Sequence, residues 1–387
     1  MAFVYLDYAA TTPVDDRVAE RMAGCLTKDG VFANPSSATH AAGRRAGEAV
    51  EHARGQVAAS VGADPREIVF TSGATEADNL AIKGVARFQR DRGRHIVTAA
   101  SEHNAVLDAC SALEFEGFAV TRVPPEPDGR VTPAAIEAAL RPDTVLVSVM
   151  HANNETGVIN DIAAIGRRVR QHGARFHVDA AQTGARLPLD TGELDVDLVS
   201  MSAHKSFGPK GIGALWVRRR PRVRLMPQLH GGGHERGLRP GTLATHQIVG
   251  MGEAFALAEG EREREREHAE MLRTRLFAHL DTLADVRDNG GGAPRLPWIR
   301  NVAFAGVEGA ALAAALADRL ALATGSACSS GSTEPSAVLR AMGQPAGQAA
   351  EAVRLSWGRM TTQDEMDRAG GMLADTVGRL RAGAAVA

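Results

Sequence analysis

The chain has 387 residues, which is enough for two or three domains of about 150 residues each. Its 44% hydrophobic and 23% charged residues are typical of a globular protein with a large core, which excludes a disordered or fibrous one. Lysine and arginine total 44 against 46 aspartates and glutamates, so no overall basic charge is available to attract nucleic acid or an anionic membrane. No stretch is apolar enough to span a membrane or to form a secretory signal, which predicts a cytoplasmic location.

Short β-branched runs alternate with amphipathic segments from about residue 67 to residue 217. The runs are almost continuously apolar, which is typical of buried strands in a largely parallel sheet with helices on both faces. They occupy residues 67–73, 95–101, 119–123, 144–151, 175–181 and 198–204. Between them, segments 132–142 and 159–173 carry apolar residues at helical spacing, with Thr132 as an N-cap and Gly173 as a C-cap. The pattern predicts an α/β domain.

A long helical region follows from about residue 245 and contains the charge run 261–270, EREREREHAE. Opposite charges at i, i+3 favour a solvated helix face over a binding role for this run. The Gly/Pro-rich segment 288–297 then leads into a second portion, with strand-like runs within 298–307 and 351–359. We therefore expect a large central domain and a smaller C-terminal one.

Three cysteines lie far apart in the sequence, so they form neither a disulfide framework nor a paired zinc site. Cys25 and Cys110 have apolar, helical surroundings in sequence, and we expect both to be buried. Cys328 lies in a run rich in glycine and serine, 323–332, that fits no strand or helix pattern. A thiol there can act as a nucleophile if a neighbouring group lowers its pKa or deprotonates it. The 13 histidines are scattered, and no H-x-x-x-H pair with a suitable acidic neighbour stands out, which disfavours a metal enzyme.

The strongest local signal is the sequence SAHKSFGPKG at residues 202–211. Lys205 follows a predicted buried strand and so lies near the carboxyl edge of the sheet, where α/β proteins bind their ligands. Ser202 and His204 flank this lysine with groups that bind oxyanions. The alternatives are a Schiff-base lysine and a solvated lysine at a strand end, and the flanking groups favour the first.

Polar residues also follow three other predicted strands. Asp179 is either a helix N-cap or a carboxylate that keeps a pyridine nitrogen protonated. Residues 71–79 pass from a strand through a glycine turn into a helix, so Ala74 and Thr75 either bind a phosphate or belong to ordinary helix capping. His103 either acts on an aromatic cofactor ring, by stacking or proton transfer, or is a hydrogen-bonded structural histidine.

Arg354 is a lone cation within the apolar run of residues 351–359. A buried arginine needs an anion as its partner. The sequence offers two candidates for this anion, a substrate carboxylate held by both arms of the guanidinium, or an aspartate or glutamate of the chain itself.

These motifs, in this order, resemble the cysteine desulfurases of the NifS/IscS kind, which are fold-type I pyridoxal phosphate enzymes of the class V aminotransferase group. The resemblance covers nearly the whole chain, through YLDYAATTPVD, NPSSATHAAG, SGATEADN, SEHNAV, NNETG, HVDAAQ, SAHKSFGPKG, GGGHERGLRPGTL, GSACSSGSTEPSAVLRAMG and VRLSWGR. The GSAC sequence is similar to the first of the two desulfurase subgroups, because the RxGHxCA sequence of the second is absent.

The resemblance implies a large domain, with a mainly parallel sheet flanked by helices, and a smaller α+β domain. The large, cofactor-binding domain would span residues 15–258. The small domain would combine residues 1–14 with residues 259–387 and would carry the loop of Cys328.

The resemblance also implies roles for individual residues. Lys205 would form the Schiff base with pyridoxal 5'-phosphate and move the Cα proton of the substrate. His103 would stack on the cofactor ring and assist proton transfer, and Cys328 would accept the sulfur. Asp179 would pair with the pyridine nitrogen, and Gln182 would bond the phenolic oxygen.

The remaining implied contacts concern the cofactor's phosphate and the substrate. The phosphate ligands would be Ala74, Thr75, Ser202, His204 and, from the partner of a homodimer, Thr242. Asn154, beside the cofactor, would orient the substrate carboxylate together with Arg354.

The implied activity is conversion of L-cysteine to L-alanine, with the sulfur left on Cys328 as a persulfide. A sulfur-acceptor protein would then carry the sulfur to iron–sulfur cluster assembly or to thio-modification of tRNA or DNA. The residues do not distinguish among these pathways. The alternatives are a selenocysteine lyase, another class V aminotransferase-type enzyme, and a non-catalytic subunit that kept the fold.

Overall fold

The structure is a computed structural model that describes residues 3–325 and 334–384. Its strands are β1 Val4–Tyr5, β2 Ile68–Thr71, β3 His95–Ala99, β4 Ala119–Val123, β5 Thr144–Ser148, β6 Arg175–Asp179, β7 Leu198–Ser202, β8 Gly213–Val217, β9 Val286–Asn289, β10 Ile299–Phe304, β11 Leu320–Ala321, β12 Ala323–Thr324 and β13 Ala352–Ser356. Its helices are α1 Asp16–Ala23, α2 Ala41–Ala59, α3 Ala74–Phe88, α4 Asn104–Phe115, α5 Pro133–Ala139, α6 Ile162–His172, α7 Thr245–Leu280, α8 Gly309–Leu316, α9 Ala337–Ala341, α10 Ala346–Ala350 and α11 Gln363–Ala384.

The large sheet has seven strands in the order β2-β8-β7-β6-β5-β3-β4. Neighbours from β7 to β4 are parallel, whereas β8 runs antiparallel to both β2 and β7. All six strand-like runs of the sequence lie in this sheet, which confirms the predicted α/β architecture. Parallel strands require crossover connections, and the helices between them supply these.

Helices cover both faces of the large sheet, which explains why its strands are apolar on both sides. On one face, alternate strand residues such as Val147 and Phe176 pack with α2, α5, α6 and the first part of α7. On the other face, residues such as Leu146 and Leu198 pack with α3 and α4. Each fully buried side chain of this size contributes about 1.5–3 kcal/mol by leaving water.

The two predicted helix ends are confirmed by their hydrogen bonds. The Thr132 hydroxyl accepts a bond from the backbone N–H of Ala135, 3.2 Å away, at the start of α5. Gly173 ends α6 with φ of 88°, a left-handed conformation that favours glycine because it has no Cβ. These caps set where the chain leaves each helix to enter the next strand.

A second sheet, in the order β12-β13-β10-β9, is antiparallel and packs with α8, α11 and the last part of α7. Strand β1, near the N-terminus, pairs in parallel with β11. The boundaries at residues 14 and 258 stay a prediction. Two local expectations were wrong, since β9 extends into the Gly/Pro-rich segment and Ala323–Thr324 forms β12.

The charge run on α7 has the expected solvated face, with residues 263, 264, 266 and 267 exposed, but Glu265 and Ala269 lie on a buried side of the helix. Glu265 is only 4% exposed and pairs with Arg186 at 3.3 Å and with Arg359 at 2.8 Å. Only the opposite side of the helix, such as the Glu263–Arg266 pair, faces the solvent. The sequence pattern did not indicate that Glu265 is buried, because its partners Arg186 and Arg359 come from distant parts of the chain.

Cys110 is fully buried in α4, as expected. Cys25 is also buried, but it lies in a turn after α1 and not in a helix. Among the helices that the structure describes, none combines the length and the apolar character that crossing a membrane requires.

Candidate active site

A cavity of about 610 Å³ opens at the carboxyl edge of the large sheet. All but two of the residues singled out from the sequence line it, namely Ala74, Thr75, His103, Asn154, Asp179, Gln182, Ser202, His204, Lys205 and Arg354. Thr242 is exposed and does not line the cavity of its own chain. Cys328 lies outside the described residues. A cavity at this edge agrees with the place where open α/β sheets bind ligands.

Lys205 ends a short 3₁₀ turn, Ala203–Lys205, that directly follows β7. Its Nζ donates hydrogen bonds to the carbonyl oxygens of Ala9 and Ala10, the second at 2.9 Å. Thr12 reinforces this contact, because its hydroxyl donates to the carbonyl of His204 at 3.0 Å. The N-terminal segment thus holds the lysine turn in place, a contact that the sequence did not predict.

Asp179 is the last residue of β6 and is buried against the inner wall of the cavity. Its Oδ1 accepts a hydrogen bond from the N–H of Ala181 at 2.8 Å. This bond closes a turn, and no α-helix starts there, so the N-cap alternative is wrong. Burial raises the pKa of Asp179, while the Ala181 N–H, His103 and Lys205 oppose that rise.

His103 is a hydrogen-bonded histidine that also lines the cavity, so its action on a cofactor ring stays a prediction. It caps α4, because its Nδ1 accepts a hydrogen bond from the N–H of Ala105 at 3.1 Å. It also lines the cavity beside Asp179. Burial lowers the pKa of His103, so the ring is neutral at pH 7. Because Nδ1 is the acceptor, the single ring proton is assigned to Nε2.

The N-terminus of α3 faces the cavity at Ala74 and Thr75. No side chain caps this helix start at Gly73, so the ordinary capping alternative has no support. Glu76 in the first turn is neutralised by Arg239, whose Nε lies 2.9 Å from its carboxylate. The positive end of a 15-residue helix is therefore available to an anion.

Two further donors line the same end of the cavity. The Ser202 hydroxyl is buried and has no hydrogen-bond partner among the described residues. His204 has its Nδ1 3.1 Å from the Thr11 hydroxyl, and burial together with Lys205 and Lys210 lowers the pKa of His204 to about 4. A neutral imidazole and an unsatisfied hydroxyl at a helix N-terminus are suited to a phosphate group.

Arg354 lies on β13 of the second sheet and also lines the cavity. Its guanidinium pairs with Asp7 at 2.8 Å and donates to the carbonyl of Asn154 at 3.0 Å. The arginine therefore has an internal anion, Asp7, which the sequence did not single out. Asn154 Oδ1 and Arg354 Nε are buried and make no hydrogen bonds within the described part of the chain. These atoms can serve a bound amino acid as well.

Gln182 also lines the cavity. Its Nε2 donates to the carbonyl oxygen of Ala9 at 3.0 Å, which fixes the side-chain amide. The cavity thus presents a primary amine, a carboxylate opposite a histidine, a fixed amide and a phosphate site. These groups fit pyridoxal 5'-phosphate, which carries an aldehyde, a ring nitrogen, a phenolic oxygen and a phosphate.

Comparison with known proteins agrees with this fit. The class-V aminotransferase family model matches residues 4–369. Cysteine desulfurase IscS of Pseudomonas aeruginosa is 57% identical over 378 residues, which cover 98% of this chain and 93% of the relative. Cysteine desulfurase IscS of Azotobacter vinelandii is 56% identical over the same shares of the two chains.

Solved structures show the same relationship. A NifS-like protein superimposes with a TM-score of 0.90 at 36% identity, over 98% of this chain and all of that one. DndA from Streptomyces lividans superimposes with a TM-score of 0.78 at 41% identity, over 92% and 99% of the two chains. The chain therefore belongs to the cysteine desulfurases of the class V aminotransferase family, and its cofactor is pyridoxal 5'-phosphate.

Proposed function

We propose that this protein is a cysteine desulfurase that converts L-cysteine to L-alanine and leaves the sulfur on Cys328 as a persulfide. The observation that carries the proposal is the cavity that holds Lys205, Asp179 and Arg354 in a chain 57% identical to IscS enzymes. A lysine and an aspartate serve the cofactor, and an arginine serves the carboxylate of an amino acid.

Pyridoxal phosphate, when bound, withdraws electrons from the Cα of an amino acid. Asp179 keeps the ring nitrogen protonated, because a buried carboxylate stabilises a positive charge beside it. The N-terminus of α3, Ser202 and His204 hold the phosphate. His103 would lie against the cofactor ring, where its Nε2–H could assist proton transfer.

Proton transfer at Cα falls to Lys205. Its Nζ takes the proton from the Cα of the substrate and later returns a proton to the product. The carbonyl oxygens of Ala9 and Ala10 accept hydrogen bonds from this nitrogen and stabilise it while it is charged. The N-terminal segment therefore influences proton transfer indirectly, by stabilising the charged form of Lys205.

Arg354 orients the substrate by its carboxylate, with Asn154 beside it. The contacts of the guanidinium with Asp7 and with the Asn154 carbonyl restrict its rotation before substrate binds. A pre-positioned guanidinium loses less entropy on binding, and its fork suits a carboxylate.

Sulfur transfer requires the Cys328 thiolate, which attacks the Sγ of the bound cysteine. A sulfur–sulfur bond forms, the Cβ–Sγ bond breaks, and its electron pair is protonated at Cβ to give alanine. The sum of the steps is L-cysteine plus a protein thiol to L-alanine plus a protein persulfide, with no external oxidant.

The working unit is a homodimer located in the cytoplasm. Thr242 is exposed and lies away from the cavity of its own chain, which supports a role at the phosphate of the other subunit. A sulfur-acceptor protein then takes the persulfide sulfur for iron–sulfur cluster assembly or for thio-modification of tRNA or DNA. Sedimentation at several concentrations tests the dimer, and a monomer at micromolar concentration would contradict it.

The test of the reaction compares the purified protein with a Cys328→Ala variant, both incubated with L-cysteine under reducing conditions. The parent releases alanine and sulfide, whereas the variant keeps the visible absorption of the cofactor but releases neither. If both proteins are coloured and neither releases sulfide, the proposed reaction is wrong.

A further inference from the structure

The proposed reaction leaves one cavity residue, Asp78, without a role. Asp78 lies on α3, is 1% exposed, and lines the cavity at the large sheet. Neither of its carboxyl oxygens makes a hydrogen bond of normal geometry with a described residue. An ionised carboxylate in such a place is costly, because burial without partners removes its hydration.

His177 lies close to Asp78, with its Nε2 3.5 Å from the Oδ1 of the carboxyl group. His177 is two residues before Asp179 on β6, so both side chains project from the same face of the sheet. The imidazole lies between two hydroxyls, Ser148 at 2.8 Å and Ser200 at 2.9 Å. Burial lowers the pKa of His177 to about 3, so it is neutral and supplies no positive charge to Asp78.

The two buried carboxyl groups, Asp78 and Asp179, have different partners. Asp179 accepts the Ala181 N–H and has His103 and Lys205 as neighbours that favour its charge. Burial raises the pKa of Asp78, and the charges of Asp179 and Glu102 raise it further, while only the Ser200 hydroxyl opposes the rise. When two carboxyl groups share a site and only one is ionised, the proton stays on the group with fewer hydrogen-bond donors and positive neighbours.

We propose that Asp78 is a positioning residue that remains a neutral carboxylic acid in the cavity wall and, with His177 and Ser200, leaves Asp179 as the carboxylate facing the cofactor ring. This inference depends on the proposed function only in that pyridoxal phosphate occupies the cavity. It implies that a neutral polar group can replace Asp78, whereas an apolar group cannot, because polarity beside Asp179 supports its charge.

The experiment compares four holoenzymes, namely the parent, Asp78→Asn, Asp78→Leu and the control Glu102→Gln. Glu102 is also buried and accepts a bond from the Met150 N–H, but it does not line the cavity. The measurement is the pH at the midpoint of the visible absorption change of the bound cofactor. We expect Asp78→Asn and Glu102→Gln to keep the parent's midpoint, and Asp78→Leu to move it by about 0.5–1 pH unit, because leucine removes a polar neighbour of Asp179.

Three results would overturn the proposal. If Asp78→Asn moves the midpoint as far as Asp78→Leu, the charge of Asp78 is required. If neither variant moves it, Asp78 does not act on Asp179. If Glu102→Gln moves it as far as Asp78→Leu, any buried carboxyl group has the same influence. None of these spectra needs turnover, so a parent that releases no alanine contradicts the proposed reaction and leaves the Asp78 test intact.

A second measurement covers the case in which Asp78→Leu does not fold. Urea unfolding of the parent and Asp78→Asn is followed from pH 4 to pH 8 without added cofactor. The pKa of Asp78 is higher in the folded state, so its contribution to the parent's stability falls as pH rises above the unfolded value of about 3.9, and Asp78→Asn lacks this contribution. The stability of Asp78→Asn relative to the parent should therefore increase with pH, and a difference that is the same at every pH would contradict a neutral Asp78.

Discussion

The two ends of the cavity are built in different ways. At the cofactor end, Asp179 and Ser202 terminate the neighbouring parallel strands β6 and β7, and Lys205 follows three residues later. At the substrate end, Arg354 comes from the second sheet and meets Asn154 and Asp7, which lie 200 and 347 residues away in the chain. The first end arises from one sheet, and the second requires the two sheets to pack against each other.

This difference affects how each end tolerates change. The cofactor end is buried and its polar groups are held largely by the backbone, as Asp179 is by Ala181. The substrate end relies on an ion pair whose aspartate, Asp7, is 23% exposed. Partly solvated pairs contribute less energy than buried, hydrogen-bonded groups. We therefore expect substitutions at the cofactor end to have the larger effects.

The largest effect is expected for Lys205→Ala at the cofactor end. Removal of the group that moves the Cα proton should lower kcat by about 10²–10⁴-fold, the usual contribution of a positioned acid or base. The rate of alanine release under saturating L-cysteine measures it. A variant that keeps more than a tenth of the parent rate would contradict the larger effect expected at the cofactor end, since a different group would then move the proton.

His103→Asn separates the capping role of this residue from its role in the cavity. Asparagine is a good N-cap, so the free energy of unfolding should change by less than about 0.5 kcal/mol, whereas alanine at this position should cost about 1 kcal/mol. The kcat of His103→Asn should still fall by about 10²-fold, because its amide cannot transfer a proton. Equal losses of stability and of activity in both variants would show that His103 acts through the helix alone.

The pH dependence of the parent gives a control for His103. Because burial lowers the pKa of this histidine, the ring stays neutral as pH falls through its ordinary value of about 6.5. Any loss of activity from its protonation should therefore begin below that pH and should be absent in His103→Asn. An activity limb centred above pH 6.5 that disappears in the variant would contradict the neutral assignment.

Arg354→Lys tests the substrate end with its charge retained. Lysine cannot form the two-armed contact, so KM for L-cysteine should rise by about tenfold, the value of one hydrogen bond to a charged group, with a smaller change in kcat. Steady-state kinetics separates the two constants. A loss confined to kcat would place Arg354 in the chemical step and remove the distinction between the two ends.

The smallest effect is expected for Asp7→Asn. The amide keeps an acceptor for Arg354 but loses the charge, and exposed ion pairs are worth about 0.2–1 kcal/mol, which corresponds to a change of about 1.4- to fivefold in KM. A rise in KM larger than that of Arg354→Lys would mean that Asp7 contacts the substrate itself and does not act through the arginine.

The sequence identified most of the cofactor end because each residue follows a strand whose apolar pattern is local. Lys205, Asp179 and His103 could be identified from two local features, the position of a strand end and the chemistry of the side chain. The sequence missed Asp7 and Asp78 for different reasons. Asp7 is one acidic residue in a short segment, and Asp78 lies on α3 with no local pattern that marks it as buried.

By itself, the sequence determined six of the seven strands of the large sheet, the caps at Thr132 and Gly173, and the residue types that chemistry on pyridoxal phosphate requires; it missed β8. Only the tertiary structure decided that Arg354 pairs with Asp7, that Ala9 and Ala10 bind the lysine, and that Glu265 in an alternating charge run is buried. Periodicity and capping are set by neighbours within a few residues, so they can be read locally. Burial and ion pairing depend on which distant segments meet, and a one-dimensional pattern does not contain that information.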